Sequence, residues 1–135
     1  LFFLFPNLVM GQTDYGEYGG AIFIKAIDAR TIIVDLPEYP ALIGENIKVR
    51  INGITTLNLK GKCEKEKKLA IKAKKFMGVV LKDAEVIDIE NIQRGIYFQL
   101  VADVLVNDEN FVIRLVEKCY AVKTSKNKKA HNWCK

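Results

Sequence analysis

The residues most able to do chemistry in this chain lie in one stretch, Val49-Arg50-Ile51-Asn52-Gly53-Ile54-Thr55-Thr56-Leu57-Asn58. Arg50 stands near the end of an alternating pattern that puts Ile47, Val49 and Ile51 on one face, and a glycine and three polar positions follow. A guanidinium is a permanent planar cation whose donors match a phosphate or carboxylate. Thr55, Thr56 and Asn58 offer only neutral oxygens. A carboxylate at any of these three positions could hold a divalent cation or accept a proton, and none carries one. Cys63, Cys119 and Cys134 form no C-x-x-C pair and His131 is the single histidine, so no zinc site of familiar ligand spacing is expected.

The stretch resembles the active-site segment of the staphylococcal nuclease (thermonuclease-like) family, whose pattern is close to R-x-x-G-I-D-T-P-E. Arg50, Gly53, Ile54 and Thr56 match it. Thr55 stands where the family has a calcium-binding aspartate, Leu57 where it has proline, and Asn58 where it has the glutamate that serves as general base. The resemblance extends from about Ala21 to Cys134. Ile27-Asp28-Ala29-Arg30-Thr31 resembles an upstream D-G-D-T turn with Arg30 in place of its second aspartate. Gly61-Lys62-Cys63-Glu64-Lys65-Glu66-Lys67 resembles the segment opening the first helix in bacterial envelope members. Asn91-Ile92-Gln93-Arg94-Gly95-Ile96-Tyr97-Phe98 resembles the segment that carries a second catalytic arginine, which falls on Arg94.

The resemblance implies a degenerate site. Calcium takes six to eight oxygens, with carboxylates supplying charge as well as coordination, and the metal positions correspond here to Asp28, Arg30 and Thr55. Arg30 would repel the cation, and Thr55 and Asn58 bring no charge. Neither calcium binding nor hydrolysis by the family mechanism is expected, and no other cofactor is implied. The arginines survive. One expectation pairs Arg50 and Arg94 internally with Asp28, Asp35 or Asp103; a second makes Arg30, Arg50 and Arg94 a metal-free clamp for a phosphate or a partner's carboxylate. A third, of enzyme class, retains weak phosphodiesterase activity through Glu64 or Glu66. The resemblance also implies a Cys63–Cys134 disulfide, with Cys119 free as a small apolar residue on a helix; three reduced thiols are the alternative reading.

These residues need a scaffold. With 135 residues and 50% hydrophobic content the chain is long enough for a single domain with its own core. Residues 1–12 open with Leu1-Phe2-Phe3-Leu4-Phe5-Pro6, an apolar run to Met10 that is too short to span a bilayer. They read as the remnant of a signal peptide with cleavage near Gly11, or as a buried strand, ahead of a domain at 20–135. Ala21 to Ile27 and Thr31 to Leu36 read as strands joined by a turn at Asp28-Ala29-Arg30, Pro37 to Gly44 as a loop, and Glu45 to Ile51 as a third strand. From Leu69, apolar residues recur at three and four through Ala73, Phe76, Met77, Val80, Leu81 and Ala84, the signature of a helix with one buried stripe. Its outer face carries Lys67, Lys68, Lys72, Lys74, Lys75 and Lys82, either a phosphate-contact surface or a solvated face. Glu85 to Glu90 and Ile96 to Val106 read as two more strands with a turn at Asn107-Asp108-Glu109. Asn110 then caps a short helix from Phe111 to Lys118. Lys123 to Lys129 is a polar, basic tail that Trp133 and Cys134 pin back.

Five strands with a helix between the third and fourth, and a short C-terminal helix, define a β-rich α+β class. The resemblance makes it a five-stranded OB-fold Greek-key barrel. The functional expectation is a nuclease-like domain without catalysis, secreted or periplasmic, with protein partners in an envelope assembly such as a secretion system. The Tyr39-Pro40-Ala41-Leu42-Ile43 loop is expected either as a contact surface or as a cover for the bottom of the barrel, and no integral membrane span is expected. A net charge of +5 suits an anionic partner, so binding of nucleic acid or phosphate without cleavage is the runner-up. Tyr97, Phe98 and Tyr120 are expected in the core or half-buried on strands.

Overall fold

A computed structural model describes residues 15–124 and 131–135. The leader at residues 1–12 and most of the basic tail fall outside the described residues. β-Branched runs form the strands: β1 (Ile22–Ala26), β2 (Thr31–Asp35), β3 (Ile47–Ile51) and the short β4 (Ile54–Thr56) precede a long helix, and β5 (Ile87–Arg94), β6 (Leu100–Val106), β7 (Glu109–Asn110) and β8 (Ala121–Lys123) follow it. The main sheet runs β1-β2-β3-β6-β5, with β7 attached to β6, and β4 pairs with β8 in a separate ribbon. Every pair is antiparallel except β3 with β6. The result is a β-rich α+β protein whose mixed sheet curls strongly. Its lead-in reaches the far edge, because the Tyr18 and Ala21 amides donate to the Ile89 and Ile87 carbonyls, both at 2.8 Å.

Alternation decides what lies inside the curl. Ile32, Val34, Val49, Ile51, Ala102 and Val104 are fully buried, while Thr31, Ile33, Lys48, Arg50, Val101 and Asp103 between them stay at least partly open. A strand lays successive side chains on opposite faces, so burying one set sends Arg50 outward with the other.

Helix α2 (Glu64–Asp83) plugs the curl with Met77 and Leu81, and helix α3 (Phe111–Glu117) adds Phe111 and Leu115. The long helix begins earlier than its apolar stripe predicts. Glu64 and Glu66 lie in its first turn, where carboxylates favour the positive end of the helix dipole, and the Glu66 amide donates to Cys63 Sγ at 3.4 Å. Cys63 is joined to Cys134, with 6.2 Å between Cα atoms. This bond closes a separation of 71 residues and, by loop-entropy arguments, contributes about 4 kcal/mol. Helix α3 starts as expected, Asn110 Oδ1 accepting the Val112 amide at 3.0 Å.

Four expectations about elements need correction. Pro37 to Gly44 contains a helical turn, α1 (Ala41–Gly44). The final long strand starts at Leu100 rather than Ile96, because residues 95–99 form a hairpin tip closed by Gly95 N–H to the Gln99 carbonyl at 2.8 Å. Tyr97 and Phe98 are therefore not core or half-buried strand residues: at 86% and 96% exposure they stand at that tip, although Tyr120 is half-buried. Cys119 is not on a helix. It follows α3 at φ 61°, exposed, where the Cys119 and Tyr120 amides donate to the Val116 and Leu115 carbonyls in the pattern that usually places glycine there. Among the described residues, no helix is long and apolar enough to cross a membrane.

Candidate anion site

The outward face of β2 and β3 and the turn before β2 build a polar depression of about 360 Å³. It is lined by Asp28, Arg30, Thr31, Arg50, Thr56, Leu57, Asn58 and Gln99. Thr31 pairs with Arg50 across the β2–β3 ladder, which places Arg30 beside Arg50. Backbone bonds hold the arrangement: the Ile51 amide donates to the Arg30 carbonyl at 2.9 Å, and Arg30 Nε donates back to the Ile51 carbonyl at 3.5 Å. The Arg30 guanidinium is held below its ordinary pKa first by burial and then by the like charge of Arg50, with Asp28 partly offsetting both. A neighbouring anion would favour the charged guanidinium and offset both effects.

The carboxylates expected to pair with the arginines accept other hydrogen bonds. Asp28 Oδ1 accepts the backbone amides of Arg30 and Thr31, both at 2.8 Å, and so shapes its own turn. Asp35 Oδ1 accepts the Asn46 amide, and Asp103 Oδ2 accepts from Asn91 Nδ2 at 2.7 Å. Among the described residues the only ion pair within 4.0 Å is Lys67 with Glu64, on the surface of α2. No ion pair within 4.0 Å joins Arg50 or Arg94 to these aspartates among the described residues.

Arg94 does not join the other two arginines. Along β6, Arg50 faces Val101 whereas Arg94 faces Leu100, and neighbouring strand residues point to opposite sides of a sheet. Arg94 instead lines an adjoining depression with Leu42, Ile43, Tyr97 and Phe98, which shares Gln99 with the first. Thr55 and Asn58 share a second, neighbouring depression, and only Asn58 also reaches the first. The Thr55 hydroxyl lies 3.4 Å from that of Thr124. Thr56, half-buried, lines both depressions.

The donor set does not fit a calcium ion. Asp28 is the lone carboxylate of the depression and already accepts two amides, Asn58 Oδ1 accepts the Lys60 amide at 2.9 Å, and two guanidiniums face the same space. No group of three His, Cys, Asp or Glu side chains able to hold a metal occurs among the described residues. Of the alternative acids, Glu64 is exposed and pairs with Lys67. Glu66 is buried at 7% exposure, and its carboxylate accepts the Lys62 amide at 3.3 Å. It packs so closely on Gly61 that a Cβ there would collide with it. Glu66 is committed to the start of α2, in a capping-box position three residues after Cys63.

Compared with models of known families and with curated proteins, the chain matches none.

Proposed function

We propose that the chain is a nuclease-like OB barrel without catalysis, acting as an interaction module, and that Arg30 and Arg50 form its metal-independent receptor for a phosphate or carboxylate. One observation carries this reading: two guanidiniums share a polar depression with no carboxylate in ion-pair reach of either among the described residues. Leaving such charges partly desolvated and unpaired is costly, and an anionic ligand is what offsets that cost. The strand order, with β3 and β6 parallel and the lead-in to β1 reaching β5, supports the OB reading. The disulfide supports a secreted or periplasmic location, where such bonds persist. An apolar rim beside the depression, with Leu42 93% and Phe98 96% exposed, favours a protein of an envelope assembly, such as a secretion system, as the carrier of the anion.

A second reading takes the anion to be a phosphate of single-stranded nucleic acid. Exposed Tyr97 and Phe98 favour it, since aromatic faces beside a phosphate contact can stack bases. Titration with inorganic phosphate, a dinucleotide and a carboxylate-bearing peptide, followed by amide chemical shifts, tests both. The expected result is saturable shifts at residues 28–31 and 50–58 that weaken on the order of 10-fold or more in Arg50→Gln, the scale of a lost charge-assisted hydrogen bond. No response to any of the three would remove the receptor. Calcium-dependent cleavage of DNA that vanishes in the same variant would restore the enzyme reading.

A further inference from the structure

A separate open groove of about 620 Å³ lies between β1 and the C-terminal part of α2. Its floor is apolar: Ile24, Ile71 and Val79 line it and are 42%, 48% and 69% exposed. Its rim is cationic, with Lys25, Lys74, Lys75 and Lys82 all contributing and no carboxylate among the lining residues. None of these four lysines has an ion-pair partner among the described residues. The lysine face of α2 is thus not uniformly solvated, because three of its ammonium groups border a hydrophobic surface that α2 shares with a strand.

Gly78 adds a second observation. It lies in the groove, inside the C-terminal half of a 20-residue helix, and a Cβ added there would meet nothing within 4 Å. Glycine inside a helix costs about 1 kcal/mol relative to alanine, and no close approach of another element requires it here. Its effect on shape is to leave the groove floor open where a side chain would fill it.

We infer that this groove is a binding site for a single-chain anionic amphiphile, whose hydrocarbon tail lies on the Ile24–Ile71–Val79 floor and whose carboxylate or phosphate head is held by the lysine rim. The volume is within the usual range for small-molecule sites, roughly 300–1,000 Å³. Tail burial supplies affinity at about 25 cal/mol per Å² of apolar surface. Lysines suit the head, since their stems can lie along apolar surface while the ammonium remains free to meet an anion. The complementarity is one-sided, so an amphiphile of opposite charge is rejected.

Calorimetric titration of the whole chain with dodecanoate and with dodecyltrimethylammonium, each below its micellar concentration, tests this. Dodecanoate is expected to bind at one site and the cationic amphiphile at least 10-fold more weakly. Gly78→Leu should abolish dodecanoate binding while unfolding no earlier than the parent, which separates a filled groove from a damaged fold. Lys74→Glu combined with Lys75→Glu should weaken dodecanoate by 10-fold or more and narrow the difference between the two ligands. Equal binding of both amphiphiles, undiminished binding in Gly78→Leu, or no dodecanoate binding beside clear binding of anionic vesicles or of an acidic amphipathic peptide would each overturn the assignment.

Discussion

Arg30, in the turn before β2, and Arg50, on β3, stand half-buried in a polar depression whose shape is fixed by ladder and turn hydrogen bonds. Lys25, Lys74, Lys75 and Lys82 stand around an apolar floor between a strand and a helix. Both regions gather positive charge without carboxylates in ion-pair reach among the described residues, yet the chemistry they suit differs. A rigid pair of forked donors suits a compact, planar or tetrahedral anion and gains specificity from geometry. A ring of flexible ammonium groups over hydrocarbon suits a ligand whose affinity comes from its tail and whose head need only be negative. The net charge of +5 is therefore not one property of the surface but two, separated by the element that carries each.

The sharpest way to break this comparison is to loosen one region and watch the other. The disulfide pins the N-terminal turn of α2, the helix that walls the groove, whereas the arginine depression is framed by β2, β3 and the Asp28 turn. Replacing Cys63 and Cys134 together by serine is expected to lower unfolding free energy by about 4 kcal/mol. In the folded fraction, amphiphile binding should weaken while the phosphate response at Arg50 persists. Denaturant unfolding and the two titrations check this, and parallel loss of both ligands would show that the regions are not independent.

A smaller effect is expected at the hairpin tip that separates the arginine depression from Arg94. Tyr97 and Phe98 occupy left-handed backbone at φ 54° and 61°, as Asn107 and Asp108 do at φ 50° and 67° in the other hairpin. Asparagine and aspartate tolerate that geometry; large side chains do so at roughly 1–2 kcal/mol each. The double change Tyr97→Asn, Phe98→Gly should therefore stabilise the fold by about 2 kcal/mol. Phosphate affinity should hold, and affinity for a protein or oligonucleotide ligand that uses the aromatic rim should fall. A loss of stability would mean that the tip side chains pack in a way their exposure contradicts.

Much of the scaffold is legible in the sequence because burial writes itself into spacing. The alternation of Ile47, Val49 and Ile51 predicts an outward Arg50, and the stripe through Ala73, Met77 and Leu81 predicts the buried face of α2. Asn110 is readable as a cap because its chemistry is local. The failures share a cause, which is dependence on partners far along the chain. Ile54–Thr56 is a strand only because Ala121–Lys123 pairs with it, and neither segment is long enough to carry a period. Arg94 matches a motif by order, but the irregularity between Glu90 and Gln93, with Asn91 at φ 50°, decides which face of β5 it takes. Tyr97 and Phe98 look apolar enough for a core, and a hairpin tip with neither glycine nor asparagine at its left-handed positions gives no turn signal. Legible too was the absence of acids at Thr55 and Asn58. That the remaining aspartates serve turns and surface contacts rather than the arginines is visible only in three dimensions.

The measurement closest to the central claim is calorimetric titration of inorganic phosphate into the chain, once with a calcium chelator and once with millimolar calcium. If Arg30 and Arg50 alone provide the receptor, affinity and stoichiometry are the same in both and are lost together in Arg50→Gln. Phosphate binding that appears only with calcium would contradict a receptor built from these two guanidiniums without a metal.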